Sequence, residues 1–342
     1  MKILYAIQGT GNGHLSRATE IIPILERMCD LDVAVSGMDS LVKLPFKIKY
    51  RLQGMGFIFG KKGGIALWET YRRLDTALFY DEVKNLPVED YDLIINDFEP
   101  VSAWAARIQH IPCISLSHQS AVGNLNSPKP SKSDGIGSMV LKHYAPCNSE
   151  FGFHFKAYDS NIFTPVIRKA IRRQNVSNAG HYTVYLPAFG DDMLMSKLSN
   201  FSVNWEVFSK HSKYPIRFKN VHIKPIDNRG FVSSVASSEG VLCGAGFETP
   251  AEVLYLGKKL MVIPMKNQYE QHCNAAALEQ MGVPVLRNLK RKRFNQIESW
   301  LNNRSRIAVL YPDNTEEVLM KIIQSQVQGE IGDLFEGKVA NG

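Results

Sequence analysis

Two glycine-rich turns carry the side chains of this 342-residue chain best suited to chemistry. The second, Gly244-Ala245-Gly246-Phe247-Glu248-Thr249-Pro250-Ala251-Glu252, lies between the apolar run Gly240–Cys243 and a helical pattern over Ala251–Leu256. Glycines at a strand-to-helix turn let the backbone come close to an anion. The first N–H groups of the helix then point at that anion along the favourable end of the helix dipole. Glu252, one turn in, is placed to accept hydrogen bonds from a sugar diol. A further run, Lys259–Ile263, ends in the polar loop Asn267–Gln271, where Gln268, Glu270 and Gln271 can meet the hydroxyls of a second sugar. Together these residues suit a nucleotide bearing a sugar; the plainer reading is a glycine-rich turn in an ordinary α/β domain.

The other turn, Gly9-Thr10-Gly11-Asn12-Gly13-His14, follows the first apolar run and leads to Arg17. A histidine has an ordinary pKa of about 6.5, so His14 can take a proton near neutrality and suits a general base. Asp97, in Asn96-Asp97-Phe98-Glu99-Pro100, ends another apolar run. It can orient the histidine, balance its charge or be the base itself, since spacing gives no distance between them. Each also has a structural alternative: His14 capping the helix that follows, or Asp97 capping the helix that starts near Pro100. His118, in Ser115-Leu116-Ser117-His118-Gln119, is as well suited to structure or acceptor contact as to catalysis. Gly11, Asn12, Gly13 and Arg17 complete this loop. Arg17 or Arg229 is available to a departing diphosphate, and the stretch Pro225–Phe231 to its base. The G-x-G-x-G spacing is not the dinucleotide fingerprint G-x-G-x-x-G, and the second strand ends in Ser36-Gly37 without an acid, which argues against NAD.

Elements to position these residues are written in the hydrophobic pattern. Strands are expected at Ile3–Ile7, Asp32–Ser36, Ile48–Arg51, Leu93–Asn96 and Ile111–Ser115, with helices at His14–Met28, Trp68–Lys84 and Pro100–Gln109. The second half repeats the grammar. Its strands are expected at His181–Leu186, Trp205–Phe208, Val221–Ile223, Gly240–Cys243 and Leu260–Ile263. Helices should fill Asp191–Ser199, Phe231–Ser237, Thr249–Leu256, Gln271–Met281 and Phe294–Asn302. Such alternation implies an α/β fold with two doubly wound parallel sheets facing each other across a cleft. A basic helix-like Pro165–Arg173 followed by polar Gln174–Gly180 places the boundary near 172/173, giving domains 1–172 and 173–342. A final helix is expected over Glu316–Gln328.

Forty Lys+Arg against 33 Asp+Glu leave a net charge of +7, which suits an anionic partner. Five dispersed cysteines without CxxC spacing point to free thiols in a reducing cytoplasm and away from a zinc site or disulfide framework. No apolar run is long enough to span a bilayer, and no leader-like segment precedes the first strand. The run Lys290–Arg293 alone does not establish nucleic-acid binding.

The donor-side pattern over roughly residues 230–285 resembles the inverting GT-B glycosyltransferases, and the rest of the chain resembles them more loosely. That family includes the cell-wall precursor N-acetylglucosaminyltransferase, the UDP-glycosyltransferases and the bacterial glycolipid synthases. The likeness implies a GT-B fold of two Rossmann-like domains, with the last helix crossing back to the first. In the family, the acid matching Glu252 holds the ribose. Small residues matching Gly244, Ala245, Gly246, Phe247, Glu248 and Thr249 hold the phosphates, and polar residues matching Gln268, Glu270 and Gln271 hold the donor sugar. A His–Asp pair like His14 and Asp97 occurs in several inverting members. Plant-type members carry a histidine near the Gly244 position; glycine here is nearer the cell-wall and glycolipid branch.

The implied activity is transfer of a hexosyl group from a nucleoside diphosphate sugar, UDP by likeness, to an acceptor hydroxyl on a lipid or cell-envelope glycan. No cofactor is implied. No DxD-type pair stands at a strand end, so no obligatory metal is expected. Basic and apolar residues interleave over residues 43–73 (Lys43, Phe46, Lys47, Lys49, Arg51, Phe57, Phe59, Lys61, Lys62, Trp68, Arg72, Arg73), as would suit peripheral attachment to an anionic inner membrane face. The alternative is aromatics in the core and lysines on a solvated face. Two further readings share the architecture: a UDP-sugar 2-epimerase, and a non-catalytic sugar-nucleotide-binding protein.

Overall fold

A computed structural model describes residues 1–37, 44–55, 75–131 and 134–326. Seven strands form the first sheet: β1 (Lys2–Gln8), β2 (Asp30–Ser36), β3 (Tyr50–Leu52), β4 (Leu93–Asp97), β5 (Cys113–Leu116), β6 (Ser149–Phe153) and β7 (Ile162–Phe163), in the order β3-β2-β1-β4-β5-β6-β7. All its pairings are parallel. Six strands form the second: β8 (His181–Tyr185), β9 (Asn204–Ser209), β10 (Ile216–Phe218), β11 (Val221–Pro225), β12 (Gly240–Gly244) and β13 (Lys259–Ile263), in the order β10-β11-β9-β8-β12-β13. Only the β10–β11 pairing in it is antiparallel.

Parallel strands covered on both faces need side chains that are apolar on both sides, which makes their sequences continuous apolar runs. In β1, Ile3, Tyr5 and Ile7 enter one core while Leu4 and Ala6 enter the core on the opposite face. In β12, Val241 and Cys243 face one core and Leu242 the other. The chain order reverses between β1 and β4 in the first sheet and between β8 and β12 in the second. At such switch points the loops beyond the strand ends diverge and leave a crevice. Both glycine turns leave strands at these points.

The expected strands and helices are present with small shifts at their ends, except that the basic segment Pro165–Arg173 is helical only over Lys169–Arg172. Strands β6, β7 and β10 and the helices His118–Gly123 and Gly135–His143 were not foreseen. They are short or Gly-containing, and the Gly135–His143 helix buries no residue, so it writes no core-facing period. Of the expected helix Trp68–Lys84, the described part is Thr76–Asn85. The sheets are joined between β7 and β8. Helical backbone runs from 315 to 326, the end of the described residues. There Arg27 pairs with Glu316 at 2.8 Å, and the Tyr311 hydroxyl donates to the Phe155 carbonyl at 3.1 Å.

Gly9 follows β1, where the Gly37 carbonyl and the Val35 side chain would meet any Cβ. Overpacking against backbone that cannot retreat costs about 1–3 kcal/mol. Gly9→Ala should therefore lower unfolding stability by about that amount in urea titration, and an unchanged midpoint would refute the close packing.

Candidate active site

A cavity of about 470 Å³ opens between the two sheets. The first turn contributes Gly11, Gly13, His14 and Arg17; the second half of the chain contributes Gly246, Phe247, Glu248, Gln268, Glu270 and Gln271. Of the described helices that start at its wall, Asn12–Met28, Glu248–Tyr255 and Tyr269–Gln280 have no side-chain cap at the N-terminus, whereas Gly135–His143 is capped by Asp134. The helices Pro100–Gln109 and His118–Gly123 are capped by Glu99 and Ser117. Uncapped N–H groups must find other acceptors, and three converging helix N-termini favour an anion.

Within this wall, His14 Nδ1 donates to Asp97 Oδ1 at 2.8 Å. Arg17 Nη2 donates to both Asp97 oxygens, at 2.7 and 2.8 Å, and Arg17 Nη1 donates to Glu248 Oε1 at 2.5 Å. Arg17 and Asp97 are buried, while Glu248 is partly exposed. Burial pushes the Asp97 carboxyl up, but Arg17 and then His14 outweigh it and hold its pKa at about 2. The ionised Asp97 accepts only, so it fixes the proton of His14 on Nδ1. Nε2 is left with a lone pair, 3.3 Å from the Gln119 amide nitrogen.

Local backbone explains why Asp97 is free for this contact. Phe98 sits at φ 58°, a left-handed turn that a non-glycine adopts at a cost of about 1–3 kcal/mol. Past that turn Glu99, not Asp97, caps the next helix, accepting from the N–H groups of Val101 and Ser102 at 2.7 Å each. His14 caps nothing either: Gly11 holds the cap position. Both structural alternatives for the pair are therefore overturned. Gly13 has its own constraint, because a Cβ there would collide with the Glu248 carboxylate.

The remaining expected residues divide. Thr249 and Gly244 line a second recess of about 100 Å³ with Gly246 and Gln271, walled by Tyr185, Pro187 and Phe189. The loop after β8 was missed in the sequence; its position at a strand's carboxyl end beside the switch point was the available signal. Ala245 is buried, and its carbonyl accepts from Asn274. Asn12 hydrogen bonds Tyr185 on the other sheet. His118 acts as a peg between the halves. Its ring stacks on Phe247 at 3.9 Å, Nδ1 lies 2.8 Å from the Phe153 carbonyl, and Nε2 lies 2.7 Å from Asn274 Oδ1. Burial pushes its pKa below the ordinary histidine value, opposed by Glu270.

Other expectations are corrected. Both terminal nitrogens of Arg17 are engaged by carboxylates, so it does not stand ready for a diphosphate. Arg229 is exposed and lines neither recess, and Phe231 reaches that region only by packing on Tyr185 at 5.5 Å. Glu252 is buried and set apart from both cavities: Arg168 grips its two oxygens at 2.5 and 2.8 Å and also donates to Asn228. Among residues 43–73, only 44–55 are described, so the basic–apolar stretch lies mostly outside the described residues.

Two outcomes follow from the buried cluster. Arg17→Met leaves the Asp97 carboxylate without its main partner, and breaking such a pair costs about 3–5 kcal/mol; chemical denaturation should show that loss. Asp97 has a folded-state pKa below its ordinary value, so its contribution is complete above about pH 4 and fades as pH falls towards 2. Wild-type stability should fall through that window more steeply than that of Asp97→Asn, and parallel curves would remove the assignment.

Known proteins share this fold. The sequence model of the family described as Glycosyl transferase family 1 matches residues 1–304. No curated protein matches the chain. Solved structures similar in fold include MurG of Acinetobacter baumannii, with a TM-score of 0.57 and 15% identity over 95% of this chain and 99% of that one. The glycotransferase of kitacinnamycin has a TM-score of 0.60 and 14% identity over 98% of each chain. Arabidopsis thaliana UGT89C1, complexed with UDP, has a TM-score of 0.56 and 13% identity over 95% of this chain and 94% of that one. With two Rossmann-like sheets meeting at a shared cleft and a family match over most of its length, the chain belongs to glycosyl transferase family 1, as a glycosyltransferase of the GT-B fold.

Proposed function

We propose that the protein is an inverting, metal-independent hexosyltransferase that moves a sugar from a nucleoside diphosphate, UDP first among them, to an acceptor hydroxyl. The observation that carries this reading is the His14–Asp97 contact placed opposite the uncapped start of the Glu248–Tyr255 helix, across one cavity. Base and anion site then share one cavity. His14 Nε2 takes the acceptor proton as the hydroxyl oxygen attacks the anomeric carbon. The C–O bond to the diphosphate breaks, and its negative charge is received by the N–H groups at Gly246–Thr249. Gln268, Glu270 and Gln271 hold the transferred sugar, and the Tyr185–Phe189 recess takes the nucleoside. UDP in the UGT89C1 structure supports a nucleotide donor.

Phe98, Ile136, Val140, Leu141 and Tyr144 line the first-sheet side of the cavity. An apolar wall beside the base favours an acceptor with an apolar body, such as a lipid-linked or aromatic alcohol. Cytoplasmic work at a membrane face fits such an acceptor. No helix among the described residues is long and apolar enough to cross a membrane.

Thermal melting with UDP, GDP, dTDP, ADP, CMP and NAD tests the donor site, since a ligand at a hundred times its dissociation constant adds about 2.7 kcal/mol. One nucleoside diphosphate should stabilise the protein, and NAD should not. Binding a ribose diol at Glu252 requires Arg168 to release it. Arg168→Gln should therefore tighten UDP binding and Glu252→Ala weaken it; equal affinities would make Glu252 purely structural. With donor and acceptor in hand, His14→Ala and Asp97→Ala should each lower turnover by about 10²–10⁴-fold, with activity unaffected by EDTA. Interconversion of donor sugars without an acceptor would indicate an epimerase instead.

A further inference from the structure

Far from the catalytic cluster, the β10 edge of the second sheet bears an uninterrupted basic stretch. Between Glu206 and Asp227 the chain has no acidic residue, while it carries Lys210, Lys213, Arg217, Lys219 and Lys224 together with His211 and His222. Lys224 is answered by Glu206 at 2.7 Å. Lys210, Lys213, Arg217 and Lys219 are exposed and form no ion pair with a described residue. Burial and then the Lys224 and Arg217 charges hold the neighbouring His222 below its ordinary pKa, a local mark of the same positive potential.

Apolar side chains interleave with these cations. Every residue from Lys213 to Lys219 is exposed, with Tyr214 at 76%, Ile216 at 40% and Phe218 at 42%. Successive strand residues point to opposite faces, so Ile216 and Phe218 share one face of β10 and Arg217 takes the other. The hairpin turns at Lys219, which adopts φ 51°, and its ammonium lies 5.5 Å from the Phe218 ring centre. β10 is an edge strand, hydrogen bonded on one side only. None of residues 210–219 lines a described cavity. Cations spread along a protruding edge, with aromatic and branched side chains between them, suit a broad anionic surface that also accepts apolar groups. They do not suit a ligand held in a pocket.

We propose that the hairpin Lys210–Lys224 docks on an anionic lipid surface, with Tyr214, Ile216 and Phe218 at the headgroup boundary and the four unpaired cations against lipid phosphates. Charge complementarity carries the choice of partner: a patch of four unopposed positive charges meets a negative leaflet, and the exposed apolar side chains gain a boundary to enter. His211 Nε2 lies 3.3 Å from the Pro187 carbonyl, in the loop that walls the small recess. Docking would thus set the donor domain's site at a fixed height above the membrane. This surface is separate from residues 43–73, and the inference stands whether or not the transferase reading does.

Sedimentation of the full chain with vesicles tests it. Wild type should pellet with phosphatidylcholine vesicles containing phosphatidylglycerol, should not pellet with pure phosphatidylcholine, and should be released by salt. Each basic residue near an anionic leaflet is worth about fivefold in partitioning. Lys210→Gln, Lys213→Gln, Arg217→Gln and Lys219→Gln together should therefore weaken binding by more than about 100-fold. All four side chains are exposed, so the variant should melt like wild type and keep the wild-type response to UDP, whatever that response is. Tyr214→Ser with Phe218→Ser should weaken vesicle binding while leaving its salt dependence. Wild-type binding by the four-charge variant overturns the proposal, as does loss on Lys61→Gln with Lys62→Gln instead. Failure of wild type to pellet at low salt overturns it too. So does a four-charge-dependent shift of single-stranded RNA without vesicle binding.

Discussion

The cleft of this molecule is organised by one buried guanidinium. Arg17 places a positive charge where water cannot screen it, and its position is tolerable because two carboxylates answer it: Asp97 from its own sheet and Glu248 from the other. A lone buried charge would be costly, so each member of the cluster holds the others in place. Asp97 stays ionised because of Arg17, and His14 is oriented because Asp97 is ionised. Glu248 adds a condition. It sits on the Glu248–Tyr255 helix, so the charges of the cluster balance when the halves are together.

Several neighbouring features serve that cluster. Gly13 leaves room for Glu248, Phe98 turns the backbone so that Glu99 rather than Asp97 caps a helix, and the His118–Phe247 stack keeps the halves in register. Gln119 links His14 to Glu270 through hydrogen bonds at 3.3 and 3.0 Å. The side chains nearest His14 thus belong to a network that spans the cleft. Removing one member should disturb alignment as well as stability, as is usual for buried polar networks.

Glu252 shows the opposite arrangement. A carboxylate one turn into the helix after the second glycine turn looks free in the sequence, yet Arg168, from the segment joining the sheets, holds both its oxygens. If the donor ribose is to be bound there, that clasp must exchange partners. Donor binding would then be coupled to the connection between the domains.

Much of the fold was legible in the chain itself. Strands buried on both faces are written as continuous apolar runs, such as Ile3–Ile7 and Gly240–Cys243, and helices with a buried stripe write a 3.6-residue period. Glycine turns after such runs marked both sides of the cleft. The short strand β7 and the helix Gly135–His143 were not legible, because neither imposes a burial period on its residues. Residue types alone also nominated His14, Asp97 and the Gly244–Thr249 turn. Partners were another matter. Arg17 with Glu248, separated by 231 positions, and Arg168 with Glu252, separated by 84, meet only because two sheets fold against each other. Charge pairing acts over a few ångströms and is indifferent to distance along the chain, so which carboxylate is free and which is held was decided by the tertiary structure.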